Sequence, residues 1–365
     1  MDRQPKPLTY SQAGVDQVRE ARALPGLVGW LAKANELREG VGSSVLPSGH
    51  YATVVDIGHN EGLALCTDSV GTKVLVAQLM GKYDTVGIDC IAMNVNDLIC
   101  VGAEPIAMVD YLAVEEPDEG LLEGIGKGLY EGARQANITI PGGEIAQLRE
   151  IVKGAVEGKG FDLAGAAFGL VPLEGMITGE RIEPGDAIVG LASSGIHSNG
   201  LTLARKALLE QMGLRIDTYV EELGRTVGEE LLEPTRIYVR PVLEMLRSGA
   251  DIKGLANITG DGLLNLLRLR RDVDYVIENM PQPQPIFPLI QRAANVTDEE
   301  MYTVFNMGVG FCVACADRDA SAVMEIARKH EIDAWRLGAV EEGDGRILLQ
   351  PKHLVGRGDE FRRAG

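Results

Sequence analysis

Apolar positions along the chain follow two periods, and the period changes at glycines and prolines. Residues 53–67, TVVDIGHNEGLALCT, read as strand, turn and strand, with β-branched residues before the turn and an apolar run after it. Thr67 and Asp68 then fall at a strand end. From Ile88 to Val101 the apolar positions 91, 95, 98 and 99 follow i, i+4, i+7, i+8, which predicts a helix stopped by Gly102 and Pro105. A strand is expected at 106–114, then a second amphipathic helix with apolar positions 122, 125, 129, 133 and 136. The short strand ITI follows, leading into Pro141-Gly142-Gly143-Glu144. Residues 161–171 read as a buried strand, and the turn-rich VPLEGMITGERIEPGD after them marks a domain boundary.

Beyond that boundary the pattern restarts. A strand at 187–192 runs into SSGIHSNG, which opens a helix near Leu201. Helices at 227–247 and 261–270, a strand at 273–278 and a strand, helix, strand series over 308–340 follow. Both halves mix strands and helices. The fold expected is α/β (α+β) in two domains, 1–172 and 173–350, with 351–365 as a tail.

Composition narrows the function. The 365 residues exceed what one hydrophobic core usually serves, which agrees with two domains. With 35 Lys and Arg against 53 Asp and Glu, the net charge of −18 opposes binding to nucleic acid or to an anionic membrane. A polyphosphate remains a possible ligand if metal ions and a few local cations receive it. Five cysteines, an odd count, fit a reducing compartment. Cys312 and Cys315 form a lone C-x-x-C in an apolar run, with no second Cys or His pair to complete a metal site. The start, MDRQPKPLTY, lacks the apolar core of a signal peptide, and no apolar stretch is long enough to span a bilayer, so a cytoplasmic location is expected.

Three constellations carry candidate chemistry. The first, Thr67-Asp68-Ser69-Val70-Gly71-Thr72-Lys73, joins a strand-end carboxylate, a glycine and a lysine, the parts that a Mg²⁺–phosphate contact uses. A solvated loop with a weak Asp68–Lys73 pair is the plain alternative. In the second, Asn94, Asn96 and Asp97 interrupt an apolar helix, where buried polar groups demand partners; Mg²⁺ suits Asp97, as would backbone N–H groups. Glu144, after Pro-Gly-Gly, is a further candidate carboxylate. The third, Ser193 to Gly200, lies between a strand and a helix. Its backbone N–H groups and His197 could serve an anion, and Ser198 or Asn199 could simply cap the helix. P-loop and Rossmann signatures are absent.

Taken together, TYSQAGVD (9–16), TDSVGTK (67–73), GIDCIAMNVNDLICVGAEP (87–105), PGGEIAQ (141–147), SSGIHSNGLTLARK (193–206), LLEPTRIYV (231–239), ITGDGLL (258–264) and FNMGVG (305–310) resemble the ordered motifs of the phosphoribosylformylglycinamidine cyclo-ligase (AIR synthetase) family. That resemblance implies an N-terminal domain whose strands form a barrel across a homodimer, a C-terminal α/β domain beside it, and a site between domains. It implies the substrates ATP, with Mg²⁺, and formylglycinamidine ribonucleotide, the products being aminoimidazole ribonucleotide, ADP and phosphate. Carried over, Asp68 and Asp97 become metal ligands. Lys73 becomes a phosphate contact, joined by Gly71 and Thr72, while Asn96 and Glu144 belong to the metal and nucleotide site. The turn holding Gly195, Ser198 and Asn199 becomes a phosphate or substrate site, with His197 its acid/base group. Ser69, Ile145 and Asp261 depart from residues common in the family. A thiamine-monophosphate kinase-like phosphoryl transferase of the same superfamily and a catalytically silent nucleotide-binding protein are the alternatives.

Overall fold

Two large β-sheets, one in each half of the chain, meet across a buried helix, and the residues with chemistry lie along that helix. The computed structural model describes residues 7–15, 17–47 and 49–364. The polar first six residues, Asp16 of the AGVD segment, Ser48 of the loop before the first hairpin and Gly365 lie outside the described residues.

Helices α1 (Tyr10–Ala13) and α2 (Gln17–Asn35) precede the first sheet. It is built from β1 (Thr53–Gly58), β2 (Glu61–Ser69), β3 (Glu104–Val114), β4 (Thr139–Gln147) and β5 (Phe161–Pro172), in the order β1-β2-β5-β3-β4. The hairpin between β1 and β2 turns through His59 and Asn60, both with positive φ, which matches the twist that a two-residue turn requires. Helices α3 (Lys73–Met80), α4 (Val86–Cys100) and α5 (Glu119–Ala136) cover one sheet face, α4 against β2 and β5 and α5 against α4. Glycines in both helices explain how α4 and α5 approach. A Cβ on Gly87 would sit 2.2 Å from the Leu129 nitrogen, and one on Gly128 would sit 2.5 Å from the Asp84 carbonyl oxygen.

Register decides which side chains share a face. Asp68, Gly165, Asp110 and Gly143 form one row across β2, β5, β3 and β4, while Ser69, Ala164, Tyr111 and Glu144 form the next. Because successive residues of a strand point to opposite faces, the first row faces α4 and the second faces away.

The second half contains β6 (Ala187–Ala192), α6 (Leu201–Arg205, continued by a π-turn), and the small ribbon β7 (Tyr219–Val220) and β8 (Arg225–Thr226). Helices α7 (Val227–Leu231) and α8 (Val239–Arg247), strands β9 (Ile252–Asn257) and β10 (Val273–Ile277), and helices α9 (Ile286–Ala294) and α10 (Asp298–Val304) come next. β11 (Val309–Cys315), α11 (Ala320–Lys329), β12 (Ala334–Glu342), β13 (Ile347–Leu349), β14 (Leu354–Arg357) and β15 (Glu360–Arg363) complete it. The sheet order is β15-β14-β13-β10-β12-β6-β11-β9.

Three expectations change. The helix expected over 227–247 is two helices, because Pro234 has no N–H to donate and disfavours helical backbone at Glu233. The stretch expected as a helix over 261–270 is a 3₁₀ segment at Gly262–Arg268. The tail expected at 351–365 is not one over its described residues, 351–364: β14 and β15 extend the second sheet, and Phe361 is buried in its core. Cys312 and Cys315 are buried within β11, where burial holds both thiols protonated. Among the described residues no helix is long and apolar enough to cross a membrane.

Candidate active site

Helix α4 reaches both halves, packing on β2 and β5 on one side and on β9 and α8 on the other. Asp89, Asn96 and Asp97 are spaced seven and eight residues apart, which puts them on one helical face. All three bond to the second half. The Asn96 amide nitrogen donates to the Arg236 carbonyl at 2.8 Å, and its oxygen accepts the Tyr238 N–H at 2.9 Å. Asp97 Oδ1 accepts from the Asn257 amide at 2.8 Å, while the Cys66 thiol lies 3.7 Å from Oδ2. Asn94 faces elsewhere, donating to the Cys90 and Asp68 carbonyls.

Asp68 and Asp97 form the metal-competent end. Burial pushes the Asp97 carboxyl up to about 7; the Asn257 hydrogen bond opposes this and the Asp68 charge adds to it. Burial raises Asp68 as well, partly offset by the Ser69 N–H that it accepts at 2.7 Å. Two mutually repelling, partly desolvated carboxylates fit a hard divalent cation. No group of three or more His, Cys, Asp or Glu side chains able to hold a metal occurs among the described residues. That donor set suits Mg²⁺, which takes one or two carboxylates and completes its shell with water and substrate phosphate. Asp68 opens onto a cleft of about 680 Å³ between the halves, lined also by Asn199, Thr259, Asp261, Arg268 and Arg271. The Arg268 guanidinium lies 5.1 Å from the Tyr51 ring centroid and lowers the Asp97 carboxyl somewhat.

Lys73 is not a phosphate contact in this structure. Its ammonium is fully buried and has three partners: Asp89 Oδ1 at 2.9 Å and the carbonyls of His197 at 3.3 Å and Glu233 at 2.5 Å. An ammonium has three donors, and all three are used. Asp89 Oδ1 in turn accepts from Ser198 Oγ (3.1 Å), Thr235 N (2.7 Å) and Thr235 Oγ1 (2.7 Å). The lysine therefore ties the first half to the turn at 193–200 and to the 233–235 segment. Thr72 adds a hydroxyl contact to Thr202 at 2.9 Å; Gly71 is exposed, with a positive φ of 66°.

His197 is not placed as an acid/base group either. It is buried with a positive φ, and its Nε2 accepts the Ser194 N–H at 3.1 Å. Burial, then the nearby Lys73 and Arg236 charges, push it down to about 3. A neutral imidazole with its acceptor nitrogen occupied can donate a hydrogen bond but is a poor proton acceptor. Ser198 serves Asp89 and Thr235, not an N-cap. Asn199 lines the cleft, and Gly195 turns at a φ of 154° with its carbonyl accepting from Asn306.

Glu144 stands apart. It is exposed beside Tyr111 on the sheet face away from α4, and among the described residues its carboxylate accepts only the Ile145 N–H. Within one chain it cannot reach Asp68. Sequence reasoning missed Asp89, Asp110 and Asn257. A carboxylate in the apolar stretch GIDCIAM, eight residues before Asp97, was the available signal for Asp89.

Against this geometry the comparisons with known proteins are decisive. The models of the AIR synthase related protein N-terminal and C-terminal domains match residues 49–171 and 183–349. A phosphoribosylformylglycinamidine cyclo-ligase from Pyrococcus furiosus is 50% identical over 342 residues, 93% of this chain and 97% of that protein. One from Methanocaldococcus jannaschii is 50% identical over 362 residues, 95% of this chain and 99% of its own. The chain belongs to the phosphoribosylformylglycinamidine cyclo-ligase family. Outside it, the fold recurs in a thiamine-monophosphate kinase from Stenotrophomonas maltophilia, with a TM-score of 0.57, 20% identity and coverage of 86% of this chain and 93% of that one. It recurs also in T. maritima PurL complexed with ADP, with a TM-score of 0.52 and 18% identity, covering 82% of this chain and 43% of that one. The family's two domains meet here at the polar seam of α4.

Proposed function

We infer that the chain closes the imidazole ring of a purine precursor, converting formylglycinamidine ribonucleotide and ATP to aminoimidazole ribonucleotide, ADP and phosphate. One observation carries this reading: half of all residues are identical to archaeal cyclo-ligases over nearly the full length of both chains. An amide oxygen is a poor leaving group, so phosphorylating the formyl oxygen makes it a good one, and the amidine nitrogen then closes the ring. Holding both ends of one molecule in a cleft makes that attack effectively unimolecular.

Residues of this chain fit those tasks. Asp68 and Asp97 would hold Mg²⁺, which neutralises charge on the transferred phosphoryl. Asn199 and the 193–200 turn lie at the cleft, positioned by Lys73 and Asp89. His197, kept neutral, would donate a hydrogen bond instead of shuttling a proton. The setting is the cytoplasm, where purine precursors are made.

A homodimer belongs to this reading. On the sheet face away from α4, Val55, Leu63 and Leu170 form one row, and Leu65 and Phe168 lie on the next. Ile57, Tyr111 and Leu170 are each more than a third exposed. A continuous apolar sheet face suits a second copy, which would also bring its own Glu144 to the shared interface. The test is direct: purified protein with Mg·ATP and formylglycinamidine ribonucleotide should release ADP and form the aminoimidazole in equal amounts. ADP release with thiamine monophosphate alone would transfer the chain to the kinase reading.

A further inference from the structure

Five described arginines are less than exposed: Arg205, Arg225, Arg236, Arg270 and Arg346. Three of them grip carboxylates. Arg225 binds Glu230 and Glu233, Arg270 binds Asp272, and Arg346 binds Asp274. Arg205 and Arg236 have no hydrogen bond or ion pair to their side chains among the described residues, and the Nε of each is sealed from solvent without a partner. Arg205 at least lies within Coulombic reach of Glu210. Arg236 is the more unusual case, because a guanidinium cannot shed its proton to escape the cost of desolvation.

Its backbone is held with unusual care. The preceding residue, Thr235, is bonded to Asp89 through both its N–H and its hydroxyl. The carbonyl of Arg236 accepts from Asn96, Tyr238 donates back to the same Asn96, and the Pro234 carbonyl accepts from Ser194 Oγ at 2.5 Å. Five hydrogen bonds thus hold the segment around a half-buried cation that has no partner among the described residues. Its neighbour His197 carries no negative charge in either protonation state and cannot balance it. A structural arginine would be paired; a preorganised, unpaired one is arranged to receive an anion from outside the chain.

We propose that Arg236 is a phosphate receptor at the seam between the two halves, gripping a phosphate of a substrate through its planar fork of donors. The phosphate comes from the ribonucleotide or from ATP; the chemistry of the contact is the same, and this part of the assignment rests on the cyclo-ligase reading. The Arg236→Met substitution removes no protein hydrogen bond, so its melting temperature should equal or exceed that of the wild type. The KM for one phosphate-bearing substrate should rise at least about tenfold, the loss of one charge-assisted contact. Arg236→Lys, which keeps the charge, should recover part of it. A rise for the formylglycinamidine ribonucleotide locates that substrate's 5′-phosphate here; a rise for ATP locates the nucleotide.

Binding is tested without turnover by thermal shift with inorganic phosphate, ribose 5-phosphate and Mg·ATP. At least one should stabilise the wild type and lose that effect in Arg236→Met. The assignment is overturned if Arg236→Met melts several degrees lower with both KM values unchanged, or if all three probes stabilise both proteins equally. Failure of the wild type to form the aminoimidazole would sink the cyclo-ligase reading and leave the thermal-shift test of Arg236 intact.

Discussion

Asp97, half-buried, and His197, buried, are ionisable groups displaced in opposite directions, and the two displacements can be separated by pH. Asp97, at about 7 against 3.8 unfolded, contributes stability that is full below 3.8 and is lost as pH rises through 7. His197, at about 3 against 6.5 unfolded, contributes stability that is full above 6.5 and is lost as pH falls through 3. Between about 4 and 6.5 the slopes offset one another in metal-free protein. With EDTA present, Asp97→Asn should therefore gain stability as pH rises across that window, and His197→Gln should lose it. Urea melts at several pH values provide the measurement; parallel curves for both variants would contradict the burial of these groups. Asp97→Asn should also lower turnover by roughly two to three orders of magnitude at saturating Mg²⁺, as expected for loss of one transition-state electrostatic contact, while keeping the fold. Turnover like that of the wild type would remove Asp97 from the metal site.

Among the elements, α4 shows what was legible and what was not. Its apolar period predicted a helix from 88, and the structure has it at Val86–Cys100, because the stripe is a local property of the sequence. The polar interruptions at Asn96 and Asp97 signalled partners, but not that these partners were Arg236, Tyr238 and Asn257 from the other half. Lys73 misled for the same reason: a lysine in one short segment with a glycine and a strand-end carboxylate reads as a phosphate contact until tertiary structure pairs it with Asp89. Glu144 misled through register, since one residue along a strand exchanges one face for the other.

The Lys73–Asp89 pair makes a prediction of its own. Asp89→Leu strands a buried ammonium and should cost about 3–5 kcal/mol. The double variant Lys73→Met with Asp89→Leu removes both charges and should recover a substantial part of that loss in chemical denaturation, a coupling expected only if the two are bonded as described. Additive losses would dissolve the pair.

At the scale of the molecule, the first sheet is finished on one side only. α4 and α5 cover the face that carries Asp68 and Asp110, while the face that carries Leu63, Leu170 and Tyr111 has no covering element among the described residues. β4 also ends the sheet as an edge strand, mostly exposed, and an open edge beside an apolar face invites another chain. The same face explains why Glu144 cannot serve Asp68 in its own chain: it projects to where a second copy would dock. A site completed across two copies would then lose activity on dissociation even with every residue intact. Leu170→Glu places a charge on the central strand of that face without touching the cleft or the α4 seam. Light scattering should show wild-type protein at twice the chain mass and the variant at a single chain mass, with far-UV circular dichroism unchanged and turnover strongly reduced. A fully active monomer, in either protein, would show that the cleft between the two halves is sufficient alone and that the apolar face has another purpose.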